Sequence, residues 1–239
     1  MNKKGNILLL EKIVREHPLF TVTDYKINPS VNKDSILSFK NKYGFDISPL
    51  LAKLYSEMNG FSLKYELKDS TEGTFRAFNK DKAYTAEEPP SKIGSIDFPS
   101  FEDVFLKDSW EKILYNTGAA SDNKEFDFNG EKFTYNSFGE KLKPFDTYSD
   151  ESCAAFVLTD KNRFDVILLE DNYVAWNDSR IMDFETYFKF ILLTGGLIQA
   201  RDIYFTELRG DKKPKFKIKK PESLIPEFFK KMVDEFLND

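Results

Sequence analysis

Few side chains in this sequence are of a type and spacing that could do chemistry. A Ser-His-Asp or Cys-His mechanism needs an imidazole as its base, and the sequence has one histidine, His17, followed by Pro18 at the end of a terminal helical pattern. A structural or solvent-exposed histidine is expected there rather than a general base. The one cysteine, Cys153, opens a strongly apolar run and reads as a small core residue rather than a reactive thiol. One His and one Cys leave a zinc site short of its usual ligands. The stretch "EFDFNGE" has the beginnings of a calcium loop: with Gly130 as the turn glycine, Glu125, Asp127 and Asn129 take the early ligand positions. The bidentate-glutamate position then falls on Asn136, and the flanks alternate like strands, so a β-hairpin is expected instead. Gly195-Gly196 lacks both the phosphate-loop motif and a preceding strand. The 40 acidic residues leave room for a glycosidase-type carboxylate pair, but no pair stands out. The expectation is a protein with no catalytic residue, no metal and no cofactor.

The elements that would position any site come next. In "SPLLAKLYSEMNGF", Ser48 can cap, Pro49 suits a first helical turn, and Leu50, Leu51, Leu54, Tyr55 and Met58 form one apolar face. Asn59-Gly60 offers left-handed residues to end that helix. Helices are predicted at 6–16, 32–43, 49–58, 183–199 and 224–237. The second has Asn32 as its cap, Ile36, Phe39 and Tyr43 on one face, and Gly44 as its stop. In the fourth, Gly195-Gly196 must weaken, kink or end the helix. Strands are predicted at "FSLKYEL" (61–67), "GTFRAF" and "GSIDF". A hairpin is predicted over "EFDFNGEKFTY" with Asn129-Gly130 at its tip, followed by strands in "CAAFVLTD", "RFDVILLE" and "NYVAW". Helices, then a meander of strands, then a closing helix indicate an α+β fold.

Composition narrows the class. The chain has 239 residues, 41% hydrophobic and 31% charged, enough to bury one sizeable core. Its 24 phenylalanines imply a core filled by rings. A single cysteine allows no internal disulfide, so a reducing compartment is the natural reading. The N-terminal apolar run Ile7 to Leu10 is cut by Glu11-Lys12, too short for a signal peptide, and no apolar run approaches the ~20 residues of a membrane span. A soluble, cytoplasmic protein is expected.

Charge is uneven. The net charge is −5, but "RGDKKPKFKIKKP" (209–221) holds seven bases and one acid, a local +6 that leaves −11 on the rest of the chain. A body that acidic repels nucleic-acid backbones and attracts a basic partner. The basic run itself has two readings. Its "KFKIK" core suits an edge strand whose lysines discourage further pairing. It also suits a patch for nucleic acid or an acidic partner, although such runs are usually solvated faces.

The order of these signals resembles the SUKH superfamily, which contains a yeast cell-wall-synthesis regulator and many bacterial toxin-immunity proteins. The opening "ILSFKNKYGFDISPLLAKLYSEMNGF" is similar to the opening of such domains at Gly44, Phe45, Pro49, Leu50, Tyr55, Asn59 and Gly60. The later "KPFDTYSDESCAAFVL", "RFDVILLEDNYVAW" and "DFETYFKFILLTGG" resemble the remainder, with Phe184, Tyr187 and Phe188 on the face of a closing helix. The resemblance implies a single domain over 32–205, a mostly antiparallel twisted sheet flanked by helices. It leaves an N-terminal extension over 1–31 (a helix and a strand-like segment) and a basic segment with an amphipathic helix over 206–239.

It also implies a binding protein without catalytic residues, whose partner in bacteria is commonly a toxin domain, and the acidic body would complement a basic toxin such as a nuclease. A regulatory or scaffolding adaptor of the same fold is the alternative. The family residues Gly44, Pro49, Tyr55, Asn59 and Gly60 are then scaffold. Partner contacts are expected among acids and aromatics in the turns between strands: Asp146, Tyr148, Asp150, Glu151, Asp171 and Trp176. Trp176 is as much a candidate for sheet cover as for a contact.

Overall fold

Ile7, Leu10 and Val14 recur at helical spacing, and in the computed structural model they lie fully buried on one face of helix α1, Lys3–Glu16. The structure describes residues 3–17, 20–67, 94–107, 125–128, 130–149, 152–158, 164–170, 173–174, 182–198 and 201. After α1 the order is β1 (Phe20–Ile27), α2 (Lys33–Tyr43), α3 (Pro49–Glu57), β2 (Phe61–Leu67), β3 (Gly94–Phe98) and a π-helical turn at Glu102–Leu106. Then come β4 (Glu125–Phe128), β5 (Glu131–Thr134), α4 (Tyr135–Lys141), β6 (Leu142–Asp146), β7 (Ser152–Leu158) and β8 (Phe164–Glu170). The series closes with β9 (Tyr173–Val174), β10 (Met182–Asp183) and α5 (Phe184–Thr194). The fold is α+β with antiparallel pairing, and no described helix is long and apolar enough to cross a membrane.

The described residues divide between two compact units interleaved in sequence. The first takes 1–26, 62–96 and 188–239, and the second takes 27–61 and 97–187. This differs from the serial division expected at 31/32 and 205/206. The expected helix and strand-like segment of the N-terminal extension are α1 and β1, and β1 belongs to the sheet with order β1-β2-β3. Within the first unit Phe20, Leu63, Tyr65 and Ile96 are buried, and the Phe20 ring meets Tyr65 edge-on at 5.1 Å. The expected helix 224–237, the basic run 209–221 and the strand "GTFRAF" lie outside the described residues.

The second unit is built on a sheet of order β10-β8-β7-β6 with β9 on β8. Strands β7 and β8 pair without interruption from Ser152↔Glu170 to Leu158↔Phe164. Alternation sends Cys153, Ala155, Val157, Ile167 and Leu169 to one face. There they pack with Phe128 and Phe133 of the β4–β5 hairpin, Phe138 of α4, and Leu142. On the other face Phe156 stacks on Phe145 at 3.9 Å and meets Phe105 at 5.7 Å and Phe184 at 5.6 Å. Phe105 in turn meets Phe39 of α2 edge-on at 5.2 Å. Cover on both faces explains why "CAAFVL" is a continuous apolar run. Each ring taken from water contributes roughly 1.5–3 kcal/mol, which is how so many phenylalanines are used.

Local punctuation is close to expectation with two revisions. Asn32 caps α2 by accepting from the Asp34 N–H at 3.1 Å, and Gly44 ends it at φ 77°. Ser48 caps α3 with Pro49 in its first turn. Helix α3, however, stops at Glu57. Met58 is already extended, so Asn59-Gly60 is not its left-handed cap and serves another purpose. Helix α5 ends at Thr194, short of 199, because Gly195 and Gly196 both take positive φ. Helix α4 and the π-helical turn had no clear sequence signal. The first begins with a reciprocal Thr134–Ser137 capping box and runs through Gly139, a poor helix former.

Candidate functional site

Asn59 is the most connected polar residue of the family-like motif. Having left α3, its backbone N–H donates to the Pro29 carbonyl at 2.9 Å, and its own carbonyl accepts from Asn28 Nδ2 at 2.8 Å. Its side-chain Oδ1 accepts from the Phe101 N–H at 2.6 Å, and Nδ2 donates to Glu102 Oε2 at 2.8 Å. The other Glu102 oxygen accepts from Ser35 Oγ at the start of α2. The amide side chain thus ties the end of α3 to the Phe101–Glu102 segment by one accepted and one donated bond, and Glu102 carries the link on to α2. Partial burial pushes the Glu102 carboxyl up, but hydrogen bonds from Asn59, Ser35 and the backbone outweigh it and hold the group below the ordinary carboxylate range. Tyr55, ringed by Phe101 and Phe105, is raised well above its ordinary value by burial and then by the Glu102 charge.

A second polar group lies deeper in the same unit. Asp146 ends β6 fully buried. Its Oδ1 accepts from the Asp97 N–H at 2.9 Å, and its Oδ2 accepts from the Tyr187 hydroxyl at 2.6 Å. Burial, followed by the Asp146 charge, pushes the nearby Cys153 thiol up to about 12, so it is a protonated core group and not a nucleophile at neutral pH.

The third group belongs to the first unit. Arg201 is fully buried, and its Nη1 donates to the Ser95 carbonyl at 2.8 Å and the Gly196 carbonyl at 3.0 Å. Beside it the Tyr65 hydroxyl donates to the Gly195 carbonyl at 2.7 Å. Burial drives Tyr65 far up, only partly offset by Arg201.

These arrangements hold backbone in place. The oxygens of Glu102 and Asp146 are engaged by the protein itself, and burial holds the Tyr55 and Tyr65 hydroxyls and the Cys153 thiol in their protonated, uncharged forms. Among the described residues no three His, Cys, Asp or Glu side chains gather as a metal-binding group. Glu125 and Asp127 sit in the expected hairpin: Asp127 faces Lys132 across the strands, and the Lys132 Nζ lies 3.9 Å from Glu125.

Of the residues expected to meet a partner, Asp146 and Tyr148 are corrected. They are 0% and 3% exposed, because the end of β6 turns them into the interior, and a side chain so placed cannot reach a partner. Asp150, Glu151, Asp171 and Trp176 lie outside the described residues. The polar roles of Ser35, Glu102 and Arg201 had no local signal, since each depends on a partner distant in sequence. Tyr187 was legible only as a member of an apolar helix face. Exposed acids of the second unit include Asp34, Asp46, Asp127, Glu140 and Glu185, and lysines are interspersed with them, Lys40 pairing with Asp46 at 3.0 Å. No family model matches this chain, and no curated protein matches it.

Proposed function

We propose that this protein is a non-catalytic binding domain of the SUKH type, an immunity protein that holds a basic toxin domain, such as a nuclease, in an inactive one-to-one complex. The observation that carries the reading is the use made of Asn59. The motif residues Gly44, Pro49, Tyr55, Asn59 and Gly60 are committed to capping, packing and stitching backbone, so they build a scaffold and leave recognition to the polar surface. A charge of −11 outside the basic run favours a basic partner over nucleic acid. The toxin would be met in the cytoplasm, and its active site either occluded or held inactive from an adjoining surface.

The test is co-expression in a sensitive cell of this protein with the toxic C-terminal domain encoded beside its gene. Survival only when both are made, with a complex that persists in gel filtration at low salt, is the expected result. Equal killing with and without this protein, and no complex, would replace this reading with that of an adaptor of the same fold.

A further inference from the structure

We draw no further inference here: the strongest candidate, the two buried polar atoms without a hydrogen-bond partner on α1 and β1 of the first unit, the Asn6 side-chain nitrogen and the Tyr25 hydroxyl, carries nothing because nothing among the described residues joins them into one site or points to a ligand.

Discussion

Gly44 and Gly60 share a left-handed backbone, with φ of 77° and 87°, and differ in what a side chain would meet. A Cβ at Gly44 has nothing within 4 Å, whereas one at Gly60 would stand 2.4 Å from the Phe98 carbonyl oxygen and 2.6 Å from that of Pro99. Gly44→Ala should therefore cost only the left-handed penalty, about 1–2 kcal/mol. Gly60→Ala should cost that plus the displacement of backbone, about 3 kcal/mol or more, and Gly60→Val no less. Equal shifts in denaturant midpoint for the two alanine variants would show that the close approach at Gly60 is not real.

The Asn59–Glu102 bond offers a second test, read through pH. A carboxyl held below its ordinary value contributes stability that is present above the unfolded pKa and is lost as pH falls through the folded one. Glu102→Gln should accordingly flatten part of the acid limb of the stability profile. Asn59→Asp keeps the acceptor for Phe101 but turns a second carboxylate toward Glu102. Its cost, about 1–3 kcal/mol at neutral pH, should shrink as the pH is lowered to about 4. A penalty that does not change with pH in urea titrations would mean that the two side chains do not meet.

At the scale of elements, the end of α5 shows how the chain is tied down after a helix. The Gly195 N–H donates to the Leu192 carbonyl at 3.3 Å and the Gly196 N–H to the Ile191 carbonyl at 3.0 Å, the paired bonds of a Schellman cap. The Gly196 carbonyl then accepts from the Ser95 N–H at 2.9 Å as well as from Arg201, and Leu197 forms a bridge with Gly94 of β3. A Cβ at Gly196 would lie 2.3 Å from Ile96 Cγ1. One nitrogen of the planar guanidinium donates to both carbonyls, at the reach and orientation that a compact ammonium on a shorter side chain reproduces poorly. Stability should fall in the order parent, Arg201→Lys, Arg201→Met, with the methionine variant losing about 2–4 kcal/mol because two buried carbonyls lose a charged donor. If Arg201→Met melts with the parent, the arginine is not what holds this turn to β3. The sequence announced that the glycine pair would interrupt the helix, but not that the chain beyond it would be clasped to a strand about a hundred residues earlier.

For the whole molecule the distribution of charge matters more than its total. The sequence outside the basic run is acidic, so if the proposed basic partner is bound, long-range attraction should act on the association rate and not on the lifetime of the complex. Raising salt from about 0.05 to 0.5 M shortens the screening length several-fold. It should slow association roughly ten-fold or more while changing dissociation little. A salt effect confined to dissociation would argue for desolvated ion pairs at the interface instead of steering.

By itself the sequence determined the α+β class, the caps at Asn32 and Ser48, the stop at Gly44, the hairpin around Gly130 and the run of strands through β7 and β8. Those signals act over a few residues, through a missing N–H, a capping oxygen or a two-residue alternation, so they can be read without knowing the rest of the chain. The tertiary structure alone decided which side chains face inward and what each polar group does. Asp146 looked like a turn acid open to a partner, and it is buried because Tyr187, 41 residues away, supplies the donor that makes burial tolerable. Asn59 looked like a helix stop, and it is a junction because Glu102, 43 residues on, and Phe101 come to meet it. Tyr65 finds its acceptor 130 residues away at Gly195. A buried polar group is stable only with its partner in place. Such partners are brought together by the packing of the core, which no local pattern of residues spells out.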